Sequence, residues 1–148
     1  MKLRTRARYS LRMMMAIAKL SSDEKPIGLG EVSRHCSLSR RYLDQLVPAL
    51  KRAALVHVRA GRKGGYFLAK EAEQIKVGDI IEAAIGPVAI AECVTDPHYC
   101  IHTDFCNCRA LWMLVNRRIT EVLNDYTLAD LLDSGWSRRV NAELALLA

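Results

Sequence analysis

Two neighbouring stretches decide the fold. The first is Ser39-Arg40-Arg41-Tyr42-Leu43-Asp44-Gln45-Leu46-Val47-Pro48-Ala49-Leu50. The second is Leu55-Val56-His57-Val58-Arg59-Ala60-Gly61-Arg62-Lys63-Gly64-Gly65-Tyr66-Phe67-Leu68. In the first, Tyr42, Leu43, Leu46, Val47 and Leu50 recur every three or four positions, the period of a helix, and Ser39 is placed to cap it. In the second the period falls to two. Residues 55–59 read as a strand, 60–65 as a glycine-rich turn and 66–68 as the returning strand of a hairpin. Pro48 lacks a backbone donor and costs roughly 3 kcal/mol inside a regular helix, which predicts a bend or a helix end near Val47.

Before this pair, Thr5 is placed to cap a first helix carrying Leu11, Met14, Met15 and Ala18 on one stripe. A turn at 21–26 and a short helix from about Leu29 to Cys36 follow, with Leu29, Val32 and Cys36 on one face and Ser37-Leu38 as a brief link. Three helices and then a basic hairpin make a winged helix-turn-helix. After the hairpin, a small helix over about 77–84 stops at Gly86-Pro87. Residues 92–108 show no periodicity. From about Arg109 a long helix carries the stripe Leu111, Val115, Ile119, Val122 and Tyr126. Thr127 and Asp130 have the spacing of a capping box, opening a last short helix that Gly135 closes.

The expected fold is mainly α with a small β-hairpin: a winged helix-turn-helix plus a long C-terminal dimerisation helix. The boundaries predicted are 1–76 for the DNA-binding region, 77–91 for the small helix and connector, 92–108 for a cysteine-rich sensor loop, and 109–148 for the dimerisation helix and C-terminal tail. The stripe on the long helix is too apolar to leave exposed, which predicts a homodimer.

At 148 residues and 51% hydrophobic the chain can bury the core of about one domain. It has no repeats and no apolar run of the roughly 18–20 residues that a membrane span needs. The basic start, Met1 to Arg8, is not followed by the apolar core of a signal peptide, so a cytoplasmic protein is expected. Residues 1–76 hold 17 Lys and Arg against 6 Asp and Glu, whereas 77–148 hold 5 against 10. A basic half joined to an acidic half points to a polyanion partner for the first. An anionic membrane surface is a weaker alternative, because no basic amphipathic helix with a large apolar face stands out.

In a helix-turn-helix the second helix of the pair lies in the major groove, with its N-terminal residues at base edges. Those residues are Ser39, Arg40, Arg41, Asp44 and Gln45. Arg can grip guanine, Gln adenine, and Asp can accept from the cytosine amino group, while Ser39 and Arg40 suit phosphate equally. Two arginines opening a helix oppose its dipole, which fits an external anion better than plain solvation. Arg59, Arg62 and Lys63 cluster beside Gly64, as in a wing that enters the minor groove. Arg4, Arg6 and Arg8 are candidates for flanking phosphates. These cations argue against a winged helix that binds only protein. No nucleophile with base and orienter, phosphate loop or carboxylate pair is legible, so an enzyme is not expected.

The chain resembles the winged-helix transcriptional repressor family typified by IscR, NsrR and CymR. The resemblance is carried by Met1-Lys2-Leu3, Tyr9-Ser10-Leu11-Arg12, Tyr42-Leu43-Asp44-Gln45-Leu46, the wing from Gly61 to Ala69, Val77-Gly78-Asp79-Ile80-Ile81-Glu82-Ala83, Leu111-Trp112 and Tyr126 to Leu131. These segments run through nearly the whole chain in order. The resemblance implies a homodimer formed by the long helices, a palindrome-like double-stranded DNA operator, and a sensor loop between the small helix and the dimer helix.

Four of the five cysteines lie in that loop. Six residues separate Cys93 from Cys100, five separate Cys100 from Cys106, and one separates Cys106 from Cys108. Thiolates suit iron–sulfur clusters and zinc, but structural zinc sites favour Cys pairs with two to four residues between them, absent here. The wide spacing fits a loop wrapped around a larger cofactor. The resemblance implies Cys93, Cys100 and Cys106 as ligands of an iron–sulfur cluster, of the 2Fe–2S or the 4Fe–4S type. At the fourth ligand the chain departs from the family. The matching positions are Arg109 and Arg8, neither of which can coordinate, leaving Cys108 first, then His102 and His98. The expected function is a DNA-binding regulator, a repressor, that senses redox state, nitric oxide or iron–sulfur status. The alternative is a cluster-free thiol/disulfide switch on the same fold. Cys36, on the apolar face of the second helix, is expected in the core, and His35 and His57 on the surface.

Overall fold

The structure, a computed structural model, describes residues 5–102 and 105–146. The Met1-Lys2-Leu3 motif and Arg4 lie outside the described residues, as do Thr103 and Asp104 of the cysteine segment. Helix α1 (Thr5–Leu20) buries Ala7, Ser10, Met13, Met14, Ala16 and Ile17. Its buried face is wider than the stripe expected, and Leu11, Met15 and Ala18 only flank it. The reason is position: α1 is the central strut, touching α2 (Leu29–Cys36), α3 (Arg40–Arg52) and the elements that follow.

Leu29, Val32 and Cys36 of α2 point into the core as expected. The helix stops at Ser37, whose backbone turns left-handed (φ 52°), and Ser33 Oγ donates to the Leu38 carbonyl at 2.6 Å. Helix α3 buries Leu43, Leu46, Val47, Ala49 and Leu50. It does not end at Val47 but runs through Pro48 to Arg52. Pro48 is on the solvent side, where Asp44, four residues earlier, is also exposed, so the carbonyl left without a donor can be hydrated. The apolar face on either side of the proline stays seated in the core.

Strands β1 (Val56–Arg59) and β2 (Gly65–Leu68) form the antiparallel hairpin, pairing Val56 with Leu68 and Arg59 with Gly65. Ile27 adds a separate bridge to β2 that the sequence pattern does not announce. Its N–H donates to the Tyr66 carbonyl at 2.9 Å, and the Tyr66 N–H donates back at 2.8 Å. Gly65 permits this approach, because a Cβ there would fall 2.6 Å from the Ile27 oxygen. The hairpin is thus fastened to the segment that enters α2.

A short 3₁₀ turn (Ala72–Gln74) leads to α4 (Val77–Ile85), which ends at Gly86 with φ 82°. The region expected to be irregular opens, among the described residues, with a short helical turn, α5 (Glu92–Thr95). The long helix α6 (Asn107–Asp125) begins two residues earlier than expected. After it come α7 (Leu128–Leu132) and α8 (Trp136–Leu146). Helix α8 departs from the sequence expectation: Gly135 does not end the chain's last helix but precedes another. Its N–H donates to Asp133 Oδ1 at 2.8 Å, and Arg139 of α8 reaches the same carboxylate at 2.7 Å. The Gly135 N–H first, and then Arg139, hold the Asp133 carboxyl below its usual range.

The expected capping box is present. Asp130 Oδ2 accepts from the Thr127 N–H at 2.7 Å, and Thr127 Oγ1 accepts from the Asp130 N–H at 3.2 Å. The box docks α7 against the segment before α4, where Leu128 N–H donates to the Ile75 carbonyl at 2.8 Å and Val77 N–H to that of Tyr126 at 3.0 Å. Leu128 is fully buried in one core with Met13, Ile17, Leu43, Leu46 and Leu50.

Candidate nucleic-acid interface and sensor segment

Helix α3 separates its two faces cleanly. Leu43, Leu46 and Leu50 are buried, while Arg40, Arg41, Asp44 and Gln45 are exposed on the other side. Ser39 Oγ accepts from the Tyr42 N–H at 3.2 Å, so this hydroxyl caps the helix while its proton can still be donated outward. No acidic side chain lies in the first turn of α3. Its positive dipole end and two guanidiniums therefore add, producing a surface that attracts anions.

The wing tip is a β-turn closed by the Gly64 N–H on the Gly61 carbonyl at 2.9 Å, with Gly61 at φ 104°. Arg62 and Lys63 occupy its two central positions and are exposed. Arg59, at the base, lays its guanidinium 5.5 Å above the Phe67 ring. Gly64 has no room for a side chain: a Cβ would fall 2.1 Å from the Arg59 carbonyl oxygen.

Helix α1 braces α2 and α3 through contacts that the sequence pattern does not announce. Arg6 Nη2 donates to the Gln45 carbonyl of α3 at 3.2 Å. Arg12 Nη2 donates to the Cys36 carbonyl, the C-terminus of α2, at 2.6 Å. The Arg12 guanidinium also lies 5.8 Å from the centre of the Tyr9 ring, which meets Tyr42 of α3 edge to face at 5.5 Å. Tyr9 and Arg12 entered only as part of a family motif. The signal that could have found them is their three-residue spacing, which places them on one helical face. Cys36 is buried, its thiol donating to the Val32 carbonyl at 2.8 Å; burial raises its pKa, against the smaller opposing effect of Arg12. His35 and His57 are exposed.

In the cysteine segment, Cys93 lies in α5 and is half-buried, and Cys100 is exposed. Cys106 is half-buried as the N-cap of α6, and Cys108 is exposed in its first turn, so these two belong to the start of the long helix rather than to a loop. Arg109 fastens the segment, its Nε donating to the Cys93 carbonyl at 2.9 Å. Asn116 holds the connector, accepting from Ile90 N–H and donating to the Val88 carbonyl, each at 3.0 Å. The four thiols are a soft donor set of the kind that holds iron or zinc. Among the described residues, however, no group of three or more His, Cys, Asp or Glu side chains is placed to hold a metal ion.

Comparison with known proteins bears on both halves. The family described as Rrf2, Iron-dependent Transcriptional regulator, matches residues 3–134. The chain belongs to the Rrf2 family. It is 35% identical over 132 residues to the Protein rrf2 of Nitratidesulfovibrio vulgaris, covering 89% of this chain and 87% of that one. Among solved structures, CymR of B. subtilis, titled the global cysteine regulator, superposes with a TM-score of 0.71 at 35% identity, covering 89% of this chain and 96% of that one. IscR of T. potens gives 0.71 at 34% identity, covering 89% and 86%. As an Rrf2 member the protein is a helix-turn-helix DNA-binding transcriptional regulator and not an enzyme. Helix α8 lies beyond the residues matched by the family. No helix among the described residues is long and apolar enough to cross a membrane.

Proposed function

We propose that this Rrf2 regulator is a homodimeric, cytoplasmic repressor that reads a palindrome-like operator with Ser39, Arg40, Arg41, Asp44 and Gln45 in the major groove. Arg59, Arg62, Lys63 and Gly64 form the wing that meets the minor groove. The observation that carries this reading is the exposed cationic start of α3, together with an exposed turn whose two central residues are Arg62 and Lys63. Duplexes selected from a random pool by the wild-type protein supply the specific site for the test. Arg41→Ala is expected to lower specific affinity by about 1–3 kcal/mol and generic affinity far less. Lys63→Ala is expected to weaken binding to every sequence and to reduce the salt slope by about one. Unchanged specific binding by the Arg41 variant would refute the docking of α3.

The dimer reading rests on α6. Leu111, Leu114 and Val122 are 51%, 54% and 55% exposed, and the helix has no fully buried residue. Tyr126 leaves the expected stripe: it packs with the Ala7, Val77 and Ile81 cluster and meets the Trp136 ring edge to face at 5.8 Å. The remaining exposed apolar residues, with Val115 and Ile119, would be covered by an equivalent helix across a two-fold axis. Sedimentation is expected to give a dimer at micromolar concentration; a stable monomer would overturn this.

For the sensor we propose an iron–sulfur cluster held by Cys93, Cys100 and Cys106, with Cys108 as fourth ligand. Bound there, the cluster would supply a redox- and nitric-oxide-reactive centre. The chain would supply a binding-dependent closure of 93–108, transmitted through Arg109 and the start of α6. Protein purified without oxygen is expected to be coloured and to contain iron and sulfide. Cys93→Ala, Cys100→Ala and Cys106→Ala should each remove the colour and shift operator affinity in one direction, whereas Cys36→Ala should do neither. The second reading, a thiol/disulfide switch, is favoured by the exposure of Cys100 and Cys108 and by the lack of a gathered ligand set among the described residues. Colourless, iron-free protein whose DNA affinity still changes on mild oxidation would establish it in place of the cluster.

A further inference from the structure

We propose that Arg12 is a positioning residue for DNA recognition, a guanidinium clamp that fixes the turn between α2 and α3 from outside the helix-turn-helix. The proposal rests on the reading of α3 as the major-groove helix. Arg12 belongs to α1, yet its Nη2 donates to the Cys36 carbonyl, the last residue of α2. The next residue, Ser37, is where the chain bends left-handed toward α3. The same guanidinium lies on the Tyr9 ring, and that ring meets the Tyr42 ring in the first turn of α3. One planar cation thus links the end of one helix of the motif to the start of the other.

The link has a geometric purpose. Carbonyls at a helix C-terminus have no intrahelical partner, and the short 37–39 link leaves the α2–α3 angle to whatever holds its two ends. Ser33 Oγ holds Leu38 from within the motif. Arg12 holds Cys36 from without. Lysine preserves the charge but not the planar fork that can stack on a ring while donating to a carbonyl. A change in the angle moves Arg41 and Gln45 away from base edges while leaving most phosphate contacts available.

The test compares wild-type protein with Arg12→Lys, Tyr9→Phe, Tyr9→Leu and Arg41→Ala, measuring affinity for the selected operator and for random duplex across a salt series. Arg12→Lys is expected to lower the specific-to-generic ratio about tenfold or more, with the generic salt slope unchanged. Tyr9→Leu is expected to repeat that loss, while Tyr9→Phe, which keeps the ring, should retain the wild-type ratio. Full specificity in the Arg12→Lys and Tyr9→Leu proteins overturns the clamp. So does an Arg12→Lys loss confined to affinity for all DNA with a changed salt slope, which would mark a phosphate contact. If Arg41→Ala loses specificity while Arg12→Lys keeps it, the clamp fails and the α3 reading stands. If neither loses it, both fail. Should Arg12→Lys not fold, judged by circular dichroism, the Tyr9 pair decides the question.

Discussion

Leu128→Ala is expected to lower the unfolding free energy by about 2–5 kcal/mol, the range for deleting a fully buried leucine. Leu128 lies far along the chain from the helix-turn-helix, in a segment that the sequence reading assigned to the C-terminal region. Its side chain is nevertheless fully buried among Met13, Leu43 and Leu50. The site cannot easily collapse after truncation, because α7 is held on both sides. Thr127 and Asp130 close its N-terminus, and the Leu128 N–H is bonded to Ile75. Denaturant unfolding followed by circular dichroism measures the effect. Leu146→Ala, at a side chain 88% exposed, is the control and is expected to stay within about 0.5 kcal/mol of wild type. A Leu128 variant indistinguishable from that control would mean that α7 does not seal the core.

The second large effect is expected at the wing. Gly64→Ala places a methyl carbon 2.1 Å from the Arg59 carbonyl oxygen, a backbone atom that cannot swing aside as a side chain can. The turn from Gly61 to Gly64 has to open, displacing Arg62 and Lys63 together and disturbing the Arg59–Gly65 pair at the base. Losing about three cationic contacts lowers affinity for any duplex on the order of 10²-fold near physiological salt. The core is remote from the tip, so the thermal midpoint should move much less than the DNA affinity. Gly61→Ala, with open space around its Cβ but φ at 104°, is expected to be milder, since only backbone strain opposes it. Wild-type DNA affinity in the Gly64 variant would exclude the wing from the interface.

The helix-turn-helix and its hairpin were legible because their signals are local. Ser39 caps the helix that it precedes, the change of period at Leu55 marks the hairpin, and the glycines sit where the turn requires them. What escaped was non-local. Nothing near Ile27 announces that it will pair with Tyr66, a residue far along the chain. Leu128 looks like any leucine after a cap, and only the folded chain shows which core it enters. Pro48 misled because its cost was weighed alone, whereas Leu46, Val47, Ala49 and Leu50, buried on either side of it, keep α3 helical through the proline, and its exposed side leaves the orphaned carbonyl open to water. Gly135 misled because a glycine beside a helix marks either end, and the choice depends on Asp133 and Arg139 meeting across it. In the cysteine segment the spacing was plain. That Cys106 and Cys108 open a helix was not, since Asn107 and Cys108 carry no apolar period of their own.

The return of α7 to the first core has a consequence for biosynthesis. At roughly 5–20 residues per second, the ribosome adds the stretch from Lys76 to Leu128 in about 3–10 seconds. During that interval every residue of the helix-turn-helix and its wing has been made, yet the hydrophobic interior still lacks its last side chain. A nascent or prematurely terminated chain ending before α7 thus carries the cationic surface without the sealed interior needed to present it. Such fragments are expected to compete poorly for DNA, so a working regulator is expected only after α7 itself has been translated.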